Sequence, residues 1–244
     1  MEKALVVKEL RKAYGSVVAV EDLTLEISHG EIFGLLGHNG AGKSTSIECI
    51  LGVMKPDSGT VELLGKNPVA DRKTLFEHVG VQFQQSNYHE KIRVSEMCDV
   101  MRSLYASPAD WRELLKFFGL SGMEKRAVSE LSGGERQRLS VLLALIPNPQ
   151  IVFLDELTTG LDSKARRDVW RYLIELKAKG LTVLLTSHHM DEVEALCDKI
   201  CILKRGKTAA MGTVSGLIEN SPYDNLEEAY LWYSGEEDTD NESI

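Results

Sequence analysis

The N-terminal part of the chain alternates apolar and polar side chains. Residues 4–10 carry apolar residues at positions 5 and 7, and residues 23–27 carry them at positions 23, 25 and 27. A period of two is typical of a strand that buries one face. We therefore predict two antiparallel strands at a sheet edge, then a turn at residues 56–59 and a short strand over residues 60–64.

Strands and helices alternate through much of the remaining chain, which predicts a parallel sheet covered by helices on both faces. Continuous apolar runs such as residues 151–154 are typical of central parallel strands. The predicted strands of this core span residues 32–36, 79–83, 151–154, 182–186 and 199–203. The predicted helices span residues 45–51, 163–179, 190–196 and 226–233.

The segment from residue 94 to residue 146 has a different pattern, because it shows few strand signals. Apolar residues recur at i, i+3, i+4 and i+7 from Leu139 to Ile146, and Pro147 closes this helix. We predict residues 88–149 as a helical subdomain inserted into an α/β core formed by residues 1–87 and 150–220. Residues 221–244 then form a short C-terminal segment.

Charge and composition argue against some classes of protein. The net charge of −9 argues against a dedicated nucleic-acid binder, whose binding surface is basic. Five uncompensated acids lie in residues 236–242, which predicts a solvated, disordered tail and leaves −4 for the rest of the chain. The chain contains no run of about 18 apolar residues and opens without a charged-then-apolar leader, so we expect a cytosolic location.

The four cysteines are scattered along the sequence. Cys49 and Cys98 are isolated, whereas Cys197 and Cys201 form a C-x-x-x-C pair with no second pair to complete a zinc site. We therefore expect buried, reduced thiols rather than a metal site.

A glycine-rich loop carries the strongest chemical signal. Gly37, Gly42, Lys43 and Ser44 fit the pattern G-x-x-x-x-G-K-S, between a predicted strand and a predicted helix. Its backbone N–H groups and the helix N-terminus suit phosphate oxygens. Lys43 would neutralise the β- and γ-phosphates of ATP, and the Ser44 hydroxyl would bind Mg²⁺. The predicted nucleotide-binding residues of this loop are Gly37, His38, Asn39, Gly40, Ala41, Gly42, Lys43, Ser44 and Thr45.

Two acids end the predicted strand over residues 151–154. A carboxylate at the C-terminal end of a central strand lies beside the phosphate loop in open α/β sheets. Asp155 can hold Mg²⁺ through water, and Glu156 can polarise an attacking water. The alternative is a strand that ends in two solvated acids.

A second glycine turn, Ser132-Gly133-Gly134, opens the helix that contains Leu139. The glycines expose backbone N–H groups at a helix N-terminus, and Ser132 can cap that helix. This turn predicts a second anion site, far along the chain from the first.

These motifs together resemble those of the ATP-binding subunits of ATP-binding-cassette (ABC) transporters. Leu131 followed by Ser132-Gly133-Gly134 matches the signature motif of that family, with Glu135 where many members carry Gln. The resemblance covers residues 4 to about 212. One departure is Leu157, since most members have Pro after the catalytic Glu.

The resemblance implies roles for further residues. Gln84 fits the glutamine loop that senses Mg²⁺ and the attacking water, with Gln82 and Gln85 as neighbouring alternatives. His188 fits the switch histidine that contacts the γ-phosphate, and His189 is the competing choice.

Two more residues follow from the same resemblance. Residues 160–162, which end in Asp162, fit the segment that crosses to the partner subunit. Tyr14 fits the aromatic residue that stacks on adenine, although a lone Tyr can also serve only packing.

The family resemblance implies a fold and a mechanism. The fold is an α/β P-loop NTPase core with a parallel sheet, an antiparallel β edge subdomain and an inserted helical subdomain. The implied activity is ATP hydrolysis by a head-to-tail dimer, in which Ser132–Gly134 of one subunit cover the ATP of the other. The dimer would drive a separate integral membrane permease, so the chain would lie peripherally on the inner face of the cell membrane.

The end of the globular region is similar to subunits of export systems. Residues 225–231 resemble the tail of the drug- and sodium-efflux branch, which favours export. Two alternatives stay open at this point. One is a soluble ABC-type ATPase that acts on ribosomes or DNA, and the other is a regulatory subunit that does not hydrolyse ATP.

Overall fold

The structure is a computed structural model, and it describes residues 2–82, 91–158 and 161–235. It divides into two compact units. The first comprises Met1–Asp71 with Thr186–Ile244, and the second comprises Arg72–Leu185. These boundaries differ from those of the predicted subdomains, so the division into core and helical insertion stays a prediction.

The strands are β1 (Lys3–Tyr14), β2 (Val17–Ser28), β3 (Ile32–Leu36), β4 (Ser58–Leu63), β5 (Val79–Gln82), β6 (Ile151–Asp155), β7 (Thr182–Ser187), β8 (Lys199–Lys204) and β9 (Lys207–Thr213). The helices are α1 (Lys43–Ile50), α2 (Arg72–Leu75), α3 (Val94–Ser103), α4 (Trp111–Phe117), α5 (Gly133–Leu145), α6 (Ser163–Ala178), α7 (Met190–Leu196), α8 (Val214–Glu219) and α9 (Leu226–Ser234). Short 3₁₀ turns span Phe76–His78 and Val128–Glu130.

The first unit contains an antiparallel sheet and a group of strands with parallel pairing. The antiparallel sheet has the order β2-β1-β4, and Val7 lies opposite both Leu25 and Val61. In the other group, β3 pairs with β8 in parallel, and β9 runs antiparallel to β8. All five residues of β3 are buried, as expected for a strand covered on both faces.

The second unit is built around β5 and β6, which pair in parallel with Val79 opposite Ile151. Strand β7 lies next to β6, and the boundary between the units falls near its end. Helix α5 packs closely on β5, since a Cβ added at Gly80 would lie only 2.0 Å from the carbonyl oxygen of Ala144. This close packing fixes the helix that begins at Ser132.

The predicted α/β class, with a parallel and an antiparallel sheet, is confirmed. The sequence patterns do not predict β9 and α8, which follow β8 directly. Among the described residues, no helix combines the length and the apolar character needed to cross a bilayer. The acidic residues of the predicted disordered tail lie outside the described residues.

Candidate nucleotide site

The glycine loop of the first unit lies between β3 and α1, where the sequence places it. Gly42 has a left-handed φ of 105°, and a Cβ at this position would lie 2.2 Å from the carbonyl oxygen of Ala19. At Gly37 a Cβ would lie 2.6 Å from the carbonyl oxygen of Leu203. Both positions therefore require glycine, for conformation and for space. The stretch His38–Gly40 between them is exposed, so its backbone can meet a ligand.

The N-terminus of α1 keeps its positive character. Gly42 is the N-cap and has no side chain to satisfy the first amides, and the first turn carries no acidic residue. Unneutralised backbone N–H groups at a helix N-terminus attract anions. Ser44 is an exposed residue of this first turn.

The side chain of Lys43 is buried within the glycine loop. The residue is 6% exposed, and Nζ donates hydrogen bonds to the carbonyl oxygens of Gly37 at 2.7 Å and of His38 at 3.1 Å. These carbonyls hold the ammonium group inside the loop. A buried cation, a glycine backbone and an uncapped helix N-terminus together fit the phosphates of a nucleotide.

Tyr14 ends β1 and is 48% exposed, so it is not a core residue. Its hydroxyl contacts Sδ of Met54 at 2.7 Å, and Nζ of Lys12 lies 5.7 Å from the ring centroid. The same β-hairpin carries Ala19, whose carbonyl oxygen lies against Gly42 of the loop. An exposed ring on this hairpin can act as a stacking platform.

His188 follows β7 directly and is exposed. The neighbouring His189 is the N-cap of α7, and its backbone N–H donates to Oγ of Ser187 at 3.0 Å. The two imidazole rings contact each other with centroids 4.2 Å apart. His188 is thus the more accessible of the two candidates. Its neighbours in the chain, Ser187 and His189, are hydrogen-bonded to each other.

In the second unit, the two predicted acids lie at the end of β6. Asp155 is 7% exposed, and its carbonyl oxygen accepts a hydrogen bond from Nε2 of Gln82 at 3.3 Å. Glu156 has a φ of 50°, which is uncommon for a residue other than glycine and turns the chain sharply after the strand. The preferred glutamine, Gln84, lies outside the described residues, as does Gln85.

The signature turn of the second unit forms a complete capping box. Ser132 is the N-cap of α5, and its Oγ accepts from the N–H of Glu135 at 3.2 Å. In return, Oε2 of Glu135 accepts from the N–H of Ser132 at 2.7 Å. This hydrogen bond holds the pKa of Glu135 below its usual value against the opposing effect of burial, with smaller help from the Ser132 hydroxyl and the charges of Arg126 and Arg138. Glu at this position therefore stabilises the turn rather than disturbing it.

Asp162 caps the neighbouring helix α6. Its Oδ1 accepts from the N–H groups of Lys164 at 2.9 Å and of Ala165 at 2.8 Å. A Cβ added at Gly134 would lie 3.3 Å from Cβ of Ala165, so the first turns of α5 and α6 lie close together. The structure thus brings Ser132–Gly134 and Asp162 into one region of the second unit.

Three residues that form side-chain hydrogen bonds beside the candidate residues belong to none of the sequence motifs. Gln137 in α5 donates from Nε2 to the carbonyl oxygen of Leu157. Ser187 and Glu192 form a buried hydrogen bond next to His188. Each bond joins two structural elements. The spacing of these side chains along the sequence is that of any helix or strand, so the sequence does not indicate the bonds.

Three of the four cysteines are buried, and Cys197 is partly exposed. Among the described residues, no group of His, Cys, Asp and Glu side chains is arranged to hold a metal ion. Cys49, Cys98 and Cys201 are buried, and burial raises the pKa of Cys98 to about 12 and that of Cys201 to about 11.

Comparison with known proteins identifies the family. The sequence profile described as "ABC transporter" matches residues 20–159, which include the glycine loop, the signature turn and Asp155-Glu156. This chain belongs to the ABC transporter family. It is an ATP-binding subunit of that family, whose members hydrolyse ATP. The resemblance inferred from the motifs is confirmed, and it favours a transporter over a soluble ATPase that acts on ribosomes or DNA.

Curated relatives within the ABC family are named for export. The chain is 39% identical over 222 residues to the Nod factor export ATP-binding protein I of Paraburkholderia xenovorans (strain LB400), covering 89% of this chain and 73% of that relative. The protein of the same name from Ralstonia nicotianae (strain ATCC BAA-1114 / GMI1000) is 38% identical over 231 residues, with coverage of 93% and 72%.

Solved ABC structures share the fold. An ATP-binding subunit of an ABC transporter superposes with a TM-score of 0.86 at 28% identity, covering 95% of this chain and 99% of that chain. The ATP-binding cassette MJ0796, solved as a dimer in a post-hydrolysis state with ADP and Pi, gives a TM-score of 0.76 at 26% identity, with coverage of 86% and 98%. The predicted P-loop NTPase core is confirmed, and cassettes of this kind dimerise and work with membrane permeases.

Proposed function

We propose that this chain powers export. Two copies close on ATP as a head-to-tail homodimer, and hydrolysis drives an integral membrane permease that holds the chain at the inner face of the cell membrane. The observation that carries the proposal is that one chain has both halves of a shared site. These are the phosphate loop at Gly37–Thr45 and a capped signature helix that begins at Ser132. The names of the curated relatives support export as the direction.

The phosphate loop suits the triphosphate of ATP. Lys43 supplies a cation held inside the loop, and the N-terminus of α1 adds partial positive charge. Tyr14 offers an exposed ring for the adenine. The chemistry of two residues also fits Mg²⁺, because the Ser44 hydroxyl and the Asp155 carboxylate are hard oxygen ligands. Gln84 would complete this set.

Hydrolysis requires a base and groups that hold the γ-phosphate. We assign Glu156 as the residue that polarises the attacking water and His188 as the residue that contacts the γ-phosphate, with Gln84 sensing the metal and the water. Mg²⁺, when bound, would neutralise charge on the transferring phosphoryl group. The remaining contribution of the chain is positioning, since phosphoryl transfer needs little covalent chemistry from the protein.

The signature turn of one copy would cover the nucleotide of the other. The Ser132 hydroxyl lies in the capping box with Glu135, and in the closed dimer it would donate to a phosphate oxygen instead. Gly133 and Gly134 place no side chain between this turn and a phosphate. Asp162 would contribute to the same contact between copies.

The Glu156→Gln variant tests this proposal. We expect it to bind ATP, to lose turnover and to elute as a stable dimer in size-exclusion chromatography with ATP and Mg²⁺. Adding Ser132→Arg should return the chain to a monomer, since a bulky cation would replace the phosphate contact. Normal steady-state hydrolysis by Glu156→Gln would refute the role of Glu156, and a monomer with ATP would refute the dimer.

Partner and direction need a separate measurement. We expect the tagged chain to co-purify with an integral membrane protein from its own cells, and vesicles with that complex to move substrate away from the side that holds the ATPase. Co-purification with ribosomal proteins or DNA instead would favour the soluble alternative. The Lys43→Ala variant is the control for transport, because it changes only the phosphate loop and weakens ATP binding.

A further inference from the structure

A buried carboxylate lies close to the proposed switch histidine in sequence. Glu192 is 1% exposed and occupies the first turn of α7, four residues after His188. Burying a carboxylate is costly unless hydrogen bonds stabilise it. Its Oε2 accepts a hydrogen bond of 2.5 Å from Oγ of Ser187, the last residue of β7.

The same serine hydroxyl also binds the residue on the other side of His188. The backbone N–H of His189 donates to Oγ of Ser187 at 3.0 Å. The two neighbours of His188 are therefore tied to each other through one oxygen atom. The short bond to the Glu192 carboxylate orients that hydroxyl, whose other acceptor, the carbonyl oxygen of His189, lies farther away at 3.4 Å. This arrangement restrains the main chain at His188, while its imidazole stays exposed.

We propose that Glu192 and Ser187 are positioning residues for ATP hydrolysis, which hold the backbone of His188 so that its imidazole meets the γ-phosphate in a fixed place. This inference rests on the proposed function, in which His188 makes that contact. A displacement of about 1 Å at a reacting group can reduce a rate by up to about 100-fold. Side chains near a site act by locking its geometry in advance.

A purely structural role for Glu192 makes a different prediction. If the carboxylate only stabilises the start of α7, its removal lowers the melting temperature and leaves turnover by the folded enzyme unchanged. If it positions His188, turnover falls while ATP binding, which depends on the phosphate loop, is retained. Separate measurements of kcat and of KM for ATP therefore distinguish the two roles.

The test compares kcat and KM for ATP in the full-length chain. We expect Glu192→Ala and Ser187→Ala to lower kcat by roughly 10-fold or more, with KM within about twofold. Ser187→Thr keeps the hydroxyl, and Glu192→Gln keeps an acceptor, so both should retain most of the turnover. Glu194→Ala is the matched control, because this carboxylate of the same helix is exposed and binds the N–H of Leu226 instead.

A double variant links the effect to His188. We expect His188→Ala with Glu192→Ala to be no slower than His188→Ala alone, because the positioning residue has nothing left to position. If His188→Ala loses turnover while folded Glu192→Ala and Ser187→Ala keep it, the positioning role is overturned and the proposed function stands. If His188→Ala itself keeps normal turnover, the role of His188 in the proposed function fails, and the inference fails with it. Should Glu192→Ala not fold, Ser187→Ala and Ser187→Thr decide the outcome.

Discussion

The side-chain amide of Gln137 donates a hydrogen bond to the backbone carbonyl of Leu157. Gln137 lies in α5, the helix that begins with the signature turn, and Leu157 follows Glu156 directly. The bond therefore ties the signature helix to the loop that carries the proposed base. Because the acceptor is a backbone carbonyl, the bond does not require Leu at position 157, where most family members have proline.

Removal of the Gln137 amide should destabilise this loop. In Gln137→Ala, the carbonyl of Leu157 loses its donor, which costs about 1 kcal/mol of unfolding free energy and lowers the melting temperature by roughly 2–4 °C. We also expect slower ATP turnover, because Glu156 is then less firmly placed. Calorimetry and a steady-state ATPase assay measure both effects. Lys116→Ala, at an exposed position of α4, is the control, and a Gln137→Ala variant identical to it would contradict the prediction.

Lys43→Ala should weaken ATP binding sharply. Hydrogen bonds to charged groups contribute about 1.5–3 kcal/mol, so the Kd for ATP should rise by roughly 10- to 100-fold. Isothermal titration calorimetry measures the change, and a melting curve confirms that the variant folds. Lys8→Ala removes the same charge from an exposed position of β1 and should leave the Kd unchanged. Equal affinities in the two variants would count against the phosphate-loop assignment.

Tyr14→Ala should weaken ATP binding moderately. The loss of one stacked ring costs about 1–2 kcal/mol. Tyr14→Phe keeps the ring and loses only the hydroxyl contact with Met54, so it should bind ATP almost normally. Fluorescent ATP analogues or calorimetry can resolve this difference. If Tyr14→Ala binds ATP as tightly as the wild type, the Tyr14 ring does not stack on adenine.

The capping box predicts a pH dependence of stability. The hydrogen bond from the N–H of Ser132 lowers the pKa of Glu135 below 4.5, so its ionised form stabilises the folded chain. This contribution is fully present above pH 4.5 and is lost as the pH falls through the lower folded-state pKa. Glu135→Gln keeps an acceptor for Ser132 but does not titrate. The difference in melting temperature between the wild type and Glu135→Gln should therefore shrink on acidification, and a difference that stays constant would contradict the prediction.

Local patterns in the sequence were sufficient for several parts of the protein. The alternation in residues 4–10 and 23–27 predicted the antiparallel pair β1 and β2, because one-sided burial imposes a period of two. The spacing from Gly37 to Ser44 predicted the loop before α1, and Gly37, Gly40 and Gly42 all take positive φ values, which glycine adopts readily. Ser132 was recognised as a cap from the glycines that follow it.

Other parts were decided by contacts between distant residues. Strand β9 is rich in small residues and has weak apolar alternation, so it exists through its pairing with β8 rather than through its own pattern. The hydrogen bond between Ser187 and Glu192 spans only five positions, yet it too depends on the path of the turn after β7, which residue types alone do not specify. The Gln137 amide meets the Leu157 carbonyl across 20 positions of sequence.

The sequence by itself therefore determined the family, the sheet types and the chemistry of the phosphate loop. These features depend on residue type and on spacings of a few positions. Only the tertiary structure decided which polar groups hold His188 and the Glu156 loop in place. A hydrogen bond needs its two atoms within about 3 Å, and for residues far apart in sequence that distance is set by the packing of whole elements.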